Sequence, residues 1–514
     1  MNTEFTMSTI ISPLLKVKER IIGPSGIYSI DNVWYGYTDE FKYTVGLAGL
    51  RGFGVGCCRP ELLPDDISEL PGTTDRFSPN YGNYVHVPSA SIVCFIPAHY
   101  IDIQAPGDIN APSYGTKVVI SSTQSGNNVL AKAFRNGGSE LAGVFVDKYQ
   151  GSNVKPDGSG VPNSSDGLPG TLPSSGGVFA SRPLHWPVSA IGLSGTLRSP
   201  FSYCNSTVLN SAATTPADNY GGSWAVCQSR GAEWYPAPIW LRIHLGYLAL
   251  AHAQALLDGA GTPVANATAN AAWMDVAPYA PKGNNNNGSD VNKTSLAFSR
   301  TDVGGQHLAS GFAGEASRAF TGAARIGNLS AVEHTTHNGQ LCGIVDVNGN
   351  QWDITPGLTN VGGTNTGYRV FSDLDDYTTV SSNSDITGAA NVISLAADVS
   401  DDGVWWGNDN AWIYLVPDVG GTYHPSSTWA ANATRKAMAE CGLPREDGTS
   451  TSQTSTNIFG GNGLYRRHRA DLLPPVGGSW DNGAHAGPFA VSLDNVSSLS
   501  VRSVGLRSAR FLSV

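Results

Sequence analysis

Hydrophobic and polar residues alternate along several short stretches of the chain, which is the pattern of half-buried β-strands. The clearest stretches are residues 85–103, 141–149 and 412–416. Pro97 divides the first of them into two strands, because proline cannot donate a backbone hydrogen bond to a sheet. The sequence therefore predicts short strands that are separated by turns.

Two stretches have the pattern of helices. Residues 238–258 begin with a proline, are apolar on nearly every face and precede Gly259, so we predict a buried helix. Residues 427–441 follow Ser426 and precede Gly442, which favours a second helix. Short strands together with two helices and long loops predict an α+β fold.

The C-terminal stretch, residues 477–509, is the part around which we expect the chain to be organised. Phe489, Val491 and Leu493 recur with a period of two, and the residues between them are small or polar. We therefore predict a strand that buries its apolar face and turns its polar face toward solvent. A rigid sheet that displays a polar segment is typical of binding proteins.

Composition narrows the class of function. Charged residues make up 14% of the 514 residues, whereas Gly (61) and Pro (30) are abundant, which favours loops and short strands over helical bundles. The net charge of −10 argues against nucleic acid as the main partner. We expect no membrane insertion, because the longest apolar stretch, residues 239–257, contains Arg242 and His244. No secretory signal is visible, and the seven cysteines form no C-x-x-C pair, so we expect folding in a cytoplasm.

Composition also divides the chain into two parts. Residues 1–84 combine a basic run at 16–20 with short extended pieces, and we predict a small, mostly-β unit for attachment or oligomerisation there. The pattern of strands begins at residue 85, so residues 85–514 are predicted to form the second domain.

A set of motifs in the second domain resembles the formylglycine-generating-enzyme type of C-type lectin fold. The motifs are F-V-D-K-Y at 145–149, the helix after A-E-W at 232–234, P-K-G-N-N at 281–285, G-I-V-D-V-N-G-N-Q-W-D at 343–353, and G-G-S-W at 477–480 with G-L-R-S-A at 505–509. The resemblance implies a C-type lectin-like domain with short strands, two helices and long loops. Residues 360–450 would be a large insertion in that domain.

The closing segment is similar to the ligand-binding domains of phage receptor-binding proteins, in particular the major tropism determinant and related retroelement-diversified variable proteins. This resemblance implies a tail-fibre or tail-tip protein of a virion, assembled in the host cytoplasm. Such a protein would bind a host cell-surface receptor, either protein or glycan. It would form a homotrimer and contact other tail proteins through its N-terminal unit.

Residues in and near the closing segment are candidates for receptor contact, because aromatic rings stack on ligands and Asn, Asp and Ser form adaptable hydrogen bonds. The candidate receptor-binding residues are Tyr465, Arg466, His468, Trp480, Asp481, Asn482, His485, Phe489, Ser492, Asp494 and Asn495. Core packing is the alternative for Trp480 and Phe489, and a solvated turn is the alternative for Asp481, Asn482 and His485. The basic run at 466–469 is suited to phosphate-bearing glycans, but such runs are also commonly solvated or paired.

Two other functions are alternatives: an oxidase-type enzyme of the same fold, and a structural baseplate or decoration protein of the virion. The resemblance implies that copper-dependent catalysis needs cysteines inside the closing segment, but the last cysteine is Cys441. The one close histidine pair, His334 and His337, lacks the H-E-x-x-H order of metalloproteases. We therefore expect a binding protein rather than an enzyme.

Calcium is the one cofactor that the sequence suggests. Asp346, Asn348 and Asn350 alternate oxygen-bearing side chains around a glycine turn, as hard cations require. The same residues also form Asx turns, and the loop lacks a distal bidentate Glu. We expect no cofactor, with a structural calcium ion at these three residues as the alternative.

Overall fold

The computed structural model describes sixteen ranges or single residues of the chain. They are residues 41–104, 117–126, 128–154, 178–183, 223–255, 336–347, 349, 351–379, 392–395, 410–415, 433–443, 449–450, 462–479, 482, 485–496 and 504–513.

The described elements are mostly short strands. The strands in the N-terminal half are β1 (Ile67–Glu69), β2 (Asn83–His86), β3 (Ser91–Pro97), β4 (Tyr100–Gln104), β5 (Lys117–Ser121), β6 (Val129–Leu130), β7 (Arg135–Asn136), β8 (Ser139–Asp147), β9 (Gly151–Val154), β10 (Val178–Ser181) and β11 (Tyr235–Pro236). Those in the C-terminal half are β12 (Trp352–Ile354), β13 (Leu358–Asn360), β14 (Tyr368–Phe371), β15 (Val392–Ser394), β16 (Ala411–Leu415), β17 (Thr449–Ser450), β18 (Gly463–Arg466), β19 (Pro475–Val476), β20 (Val491–Ser492), β21 (Val504–Gly505) and β22 (Ser508–Ser513). The helices are α1 (Ser223–Gln228), α2 (Ile239–Ala255), α3 (Leu374–Thr379) and α4 (Ala433–Glu440).

The elements form an α+β protein with several small sheets, as the sequence predicts at the level of fold class. The strands predicted on either side of Pro97, at 141–149 and at 412–416 are present as β3, β4, β8 and β16. The helix predicted at 238–258 is α2, and α4 covers the described part of the one predicted at 427–441. The prediction of two helices is wrong for the described chain, because α1 and α3 are additional short helices.

One seven-stranded sheet contains the chain's last strand at its interior. Its main order is β1-β2-β3-β8-β22-β11, and β7 pairs with β8. Strand β22 is antiparallel to both neighbours, with Ala509 opposite Val146 of β8 and opposite Tyr235 of β11. Because β22 is enclosed on both edges, residues 508–513 are part of the framework of this sheet.

The second seven-stranded sheet has the order β17-β16-β18-β20-β19-β12-β21. Most of its pairs are antiparallel, but β18 is parallel to β20 and β12 is parallel to β21. Three smaller sheets, β10-β9, β13-β14-β15 and β5-β4-β6, complete the described strands. The closing segment supplies β20 and β21, and β19 directly precedes it, so this part of the chain crosses the second sheet before it enters the first.

Helix α2 is buried on nearly every side, which explains its uniformly apolar sequence. Its side chains Trp240, Leu241, Ile243 and Leu245 are all at most 1% exposed. Gly246 lies against the ring of Phe489, and a Cβ atom there would be 3.0 Å from the Phe489 Cζ atom. A glycine is therefore retained inside this helix because the ring packs directly on its backbone.

No helix in the described ranges has both the length and the apolar character needed to cross a bilayer.

The predicted boundary between residues 84 and 85 falls inside β2, and this prediction is corrected for residues 41–84. Strand β2 pairs with β3 along its whole length, and Val45 and Phe53 belong to the same hydrophobic core as α2. The backbone N–H of Gly49 also donates a hydrogen bond of 3.0 Å to His252 Nδ1. Residues 1–40 of the predicted N-terminal unit lie outside the described residues.

The described parts of the predicted insertion at 360–450 are joined to the rest of the protein. Strand β16 pairs with β18 in the second sheet. From α3, Tyr377 Oη donates a hydrogen bond of 2.6 Å to the carbonyl oxygen of Pro236. This part of the chain therefore contributes to the same core as its flanking segments.

Candidate functional site

A buried ion cluster fixes the closing strand. We call Arg242, Asp353 and Arg507 the buried triad: Asp353 Oδ2 accepts hydrogen bonds from Arg242 Nε at 2.9 Å and from Arg507 Nε at 2.8 Å. The three side chains are 0–1% exposed. Gln150 Nε2 donates to the other oxygen, Asp353 Oδ1, at 3.0 Å. Buried charges need this degree of pairing, because an unpaired ion in the interior is costly.

The remaining nitrogens of Arg507 donate to backbone carbonyl oxygens of two other segments. The acceptors are the carbonyl oxygens of Asp147, Lys148, Val345 and Asp346. Three of the motifs that carry the resemblance, at 145–149, 343–353 and 505–509, therefore meet at one guanidinium group.

A second buried ion pair lies beside the first. Arg230 Nη1 donates to Asp147 Oδ1 at 2.6 Å, and the backbone N–H of Ser508 donates to Asp147 Oδ2 at 2.8 Å. Burial raises the pKa of the Asp147 carboxyl, and Arg230 opposes that rise. Burial lowers the pKa of the Arg242 guanidinium, and Asp353 opposes that fall. These groups are structural, since their hydrogen bonds join strands to α2 and to the loop before β12.

At the surface of the second sheet, four rings form a stack that we call the aromatic ladder: Trp352, Trp412, His485 and Tyr414. Trp412 and His485 are nearly parallel, at 4° and 4.6 Å between ring centroids. His485 also stacks on Tyr414 at 5.4 Å, and Trp352 on Trp412 at 6.4 Å. Trp412, Tyr414 and His485 are half-buried, so the ladder is both supported by the sheet and open to solvent.

Tyr465 stands beside the aromatic ladder. It is the strand partner of Trp412, and its ring meets the Trp412 ring edge-on at 5.0 Å. Its hydroxyl donates to Asn410, whose backbone oxygen and side-chain Oδ1 both lie at 3.1 Å. Partial burial lowers the pKa of His485 and raises that of Tyr414, so both rings are neutral at pH 7.

A charged cluster adjoins Tyr465. We call Arg467, Asp494 and Arg469 the surface triad: Asp494 Oδ1 lies 2.7 Å from Arg467 Nη1 and 2.8 Å from Arg469 Nε. The side chains are 30%, 29% and 38% exposed in that order. Arg467 Nη1 also donates to Asn410 Oδ1 at 3.1 Å. The surface triad and the hydroxyl of Tyr465 therefore share one amide oxygen.

The structure brings together part of the set of predicted receptor contacts. The half-buried members at the surface are Tyr465, Arg466, His468, Asn482, His485, Asp494 and Asn495. His468 contacts the Tyr368 hydroxyl through Nδ1 at 3.2 Å, and burial lowers its pKa. Asn482 Oδ1 accepts hydrogen bonds of 2.7 Å from both the backbone N–H and the hydroxyl of Ser479. Trp480 and Asp481 lie outside the described residues.

Phe489 and Ser492 are removed from the set of surface contacts. Phe489 is 0% exposed and packs edge-on against Tyr247 at 5.1 Å, so it is a core residue. Ser492 is 6% exposed, and its hydroxyl accepts a hydrogen bond of 3.0 Å from Asn495 Nδ2.

The expectation that alternate residues of this stretch face solvent is also wrong. Ala490 is 0% exposed, as are Val491 and Leu493, so both faces of the stretch are covered. Strand β20 lies between β18 and β19 in the second sheet, and residues 486–493 are all buried. The surface of the site is formed by β16, β18 and the half-buried residues of the closing segment on either side of the stretch 486–493.

Sequence reasoning missed Trp412, Tyr414 and Asn410 as members of the site. A weak signal was present, because Trp412 and Tyr414 are two residues apart on a predicted strand and so share a face. Which face they occupy depends on pairing between β16 and β18, across about fifty residues of chain, and on the position of His485.

No group of three or more His, Cys, Asp or Glu side chains within the described ranges is placed to hold a metal ion. Of the calcium candidates, Asp346 is 4% exposed and its carbonyl oxygen accepts a hydrogen bond from Arg507, whereas Asn348 and Asn350 lie outside the described residues. His337 is buried, its Nδ1 accepts a hydrogen bond from the Ile344 N–H, and its Nε2 contacts the carbonyl oxygen of Gly54.

Comparison with protein-family models gives no match, and no curated protein matches the sequence at a significant level.

Proposed function

We propose that this chain is a phage tail-fibre or tail-tip protein that recognises the host cell surface through a C-terminal lectin-like domain. The observation that carries the proposal is the aromatic ladder with Tyr465 at its side, half-buried on the second sheet. These rings come from four separate segments, which are β12, β16, β18 and the stretch around His485, and they converge at one surface.

Such a surface is suited to recognition. Aromatic rings provide a large contact area, and they lose little conformational entropy on binding because few of their torsions are free. The sheet holds the rings in place, and the amide of Asn410 and the hydroxyl of Tyr465 add polar groups beside them. A sugar ring or a receptor side chain can pack on the rings and exchange hydrogen bonds with these groups.

The buried triad supports the lectin-like part of the proposal. The three motifs that suggest this fold are far apart in the sequence, and their convergence on Arg507 gives each of them a structural purpose. In this proposal the domain binds without turnover and without a cofactor. A homotrimer would multiply weak individual sites, and the N-terminal unit would contact other tail proteins.

The test is binding of the fluorescently labelled, purified protein to a panel of bacterial strains. We expect binding to a subset of strains, and a loss of about ten-fold in affinity for Tyr465→Ala and for Tyr414→Ala, because central aromatic contacts each contribute more than about 1 kcal/mol. The matched control is Phe77→Ala, which removes an aromatic ring that is 55% exposed and belongs to the loop before β2.

The proposal fails if the protein binds no strain, or if the two tyrosine variants bind as well as Phe77→Ala. Light scattering of the purified protein measures its mass in solution, and a mass of one chain would contradict the homotrimer.

A further inference from the structure

The surface triad carries an excess of positive charge next to the aromatic ladder. One carboxylate neutralises one of its two guanidinium groups, in a protein whose net charge is −10. The positive charge is therefore concentrated locally, against the sign of the whole molecule.

The two arginines keep donor groups available. The hydrogen bonds of the described chain use Nη1 of Arg467 and Nε of Arg469, and the two side chains are 30% and 38% exposed, so further N–H groups of both are accessible to a ligand. Asp494 orients both side chains toward the same point. A planar guanidinium group that is already held in place loses little entropy when it accepts an anion.

The donors are contiguous with the ring surface. Asn410 Oδ1 lies 3.1 Å from both the Tyr465 hydroxyl and Arg467 Nη1, so one amide joins the two groups. Tyr465, Arg467 and Arg469 are also spaced two residues apart along the chain. A ligand that packs on Tyr465 therefore has its substituents within reach of the arginines.

We propose that the ligand of this site is an anionic saccharide, whose ring packs on Tyr465 and whose carboxylate or phosphate group binds Arg467 and Arg469. This inference rests on the proposed function and specifies the chemistry of the receptor. Carboxylate and phosphate share the geometry that a guanidinium group recognises, with two oxygens opposite two N–H groups. A neutral saccharide offers these charged donors only hydroxyl oxygens, which form weaker hydrogen bonds with a guanidinium group than an anionic oxygen does.

A saccharide fits the site better than an acidic peptide. The polar groups around the rings are an amide, a phenol and guanidinium groups, which match the hydroxyl groups and the acidic substituent of a sugar ring. The surface presents rings and donors without a free strand edge at Tyr465, because β18 is paired on both sides, with β16 and β20. An extended peptide therefore has no strand to pair with at this position.

The experiment uses surface polysaccharide prepared from the strains that the protein binds. It is tested in four forms: untreated, carboxyl-reduced, dephosphorylated, and treated in both ways. We expect the untreated form to bind best, with affinity that falls as the NaCl concentration rises, because partly exposed charges are screened. Loss on carboxyl reduction identifies a uronic-acid type of sugar, and loss on dephosphorylation identifies a sugar phosphate.

The variants are Arg469→Gln and the matched control Arg59→Gln, which replaces an exposed arginine in the N-terminal part of the chain, before β1. We expect Arg469→Gln to lower the affinity by about 10- to 100-fold, as loss of a charge-assisted hydrogen bond does, and Arg59→Gln to leave it unchanged. Thermal unfolding of both variants checks that the fold is retained.

Equal binding of all four forms, or equal binding of the two variants, overturns the anionic ligand. If the protein binds cells but no polysaccharide, and protease treatment of the cells removes binding, the receptor is a protein: the anionic saccharide is then wrong and the proposed function stands. If it binds neither cells nor polysaccharide, both are wrong.

Discussion

The buried triad and the surface triad have the same composition, two arginines on one aspartate, in different surroundings. Their N···O distances are 2.8 and 2.9 Å in the buried triad and 2.7 and 2.8 Å in the surface triad. The side chains are 0–1% exposed in the first and 29–38% exposed in the second. Hydrogen-bond geometry alone therefore does not distinguish a structural cluster from one that is available to a ligand.

Burial makes the distinction. In the interior, each ion of the buried triad depends on its partners because water cannot replace them. At the surface, water solvates each ion of the surface triad, so the pairs contribute little to stability and can be exchanged for a ligand. Substitutions in the buried and the exposed regions should therefore differ in their effect on stability.

Asp353→Asn should lower the free energy of unfolding by about 3–5 kcal/mol, because two buried guanidinium groups would lose their counter-charge. Urea denaturation measures the change. A loss below about 1 kcal/mol would mean that water reaches the buried triad, and the contrast with the surface triad would disappear.

Phe489→Ala tests the same contrast between buried and exposed positions within the closing segment. The free energy of unfolding should fall by about 3–4 kcal/mol, because removal of the ring leaves a cavity against Gly246 and Tyr247. The matched change is Asn495→Ala, at a half-buried position just after the buried stretch 486–493. It removes one hydrogen bond to Ser492 and should lower the free energy of unfolding by about 1 kcal/mol or less. Similar losses for the two variants, measured by urea denaturation, would show that the segment is uniformly buried or uniformly exposed.

These two regions also show how far the sequence predicts the structure. Helix α2 and strands β3, β8 and β16 follow from local patterns of apolar residues, because each element shows its own buried face. The burial of Ala490 does not follow, since a period of two says which residues share a face but not whether another layer covers the second face.

Long-range pairing accounts for the other differences. The aromatic ladder exists because β16 lies beside β18, and nothing near Trp412 in the sequence indicates Tyr465 or His485. The boundary predicted at residue 84 rested on a change in composition, whereas the pairing of β2 with β3 depends on contacts that composition does not report.

Buried histidines should make the core sensitive to acid. His99 Nδ1 donates to the carbonyl oxygen of Pro97, so its Nε2 accepts the 2.6 Å hydrogen bond from His244 Nε2, and both rings are neutral. Burial lowers the pKa of His99 to about 4 and that of His244 well below its usual value. The unfolded state therefore binds more protons than the folded state between pH 6.5 and 4, and stability is lost as the pH falls through this window.

Each such histidine contributes a slope of up to about 1.4 kcal/mol per pH unit. Urea denaturation between pH 7.5 and 5 measures how steeply the free energy of unfolding depends on pH. His99→Gln should lower the number of protons taken up on unfolding by about one, whatever its effect on stability at pH 7.5. An unchanged slope would show that His99 is protonated in the folded protein. His468 and His485 at the surface, whose partial burial lowers their pKa as well, provide a comparison when each is replaced by Gln.

The smallest effect is expected for Asp494→Asn, which removes the charge from the surface triad and keeps its shape. Partly exposed ion pairs contribute about 0–1 kcal/mol, so the free energy of unfolding should change by no more than this. Because salt screens exposed charges, any difference from the unmodified protein should shrink between 50 and 300 mM NaCl, whereas the effect of Asp353→Asn should persist. A loss comparable to that of Asp353→Asn would mean that Arg467 and Arg469 need Asp494 for stability. The two triads would then serve the same structural purpose, and the donors of the surface triad would not be available to a ligand.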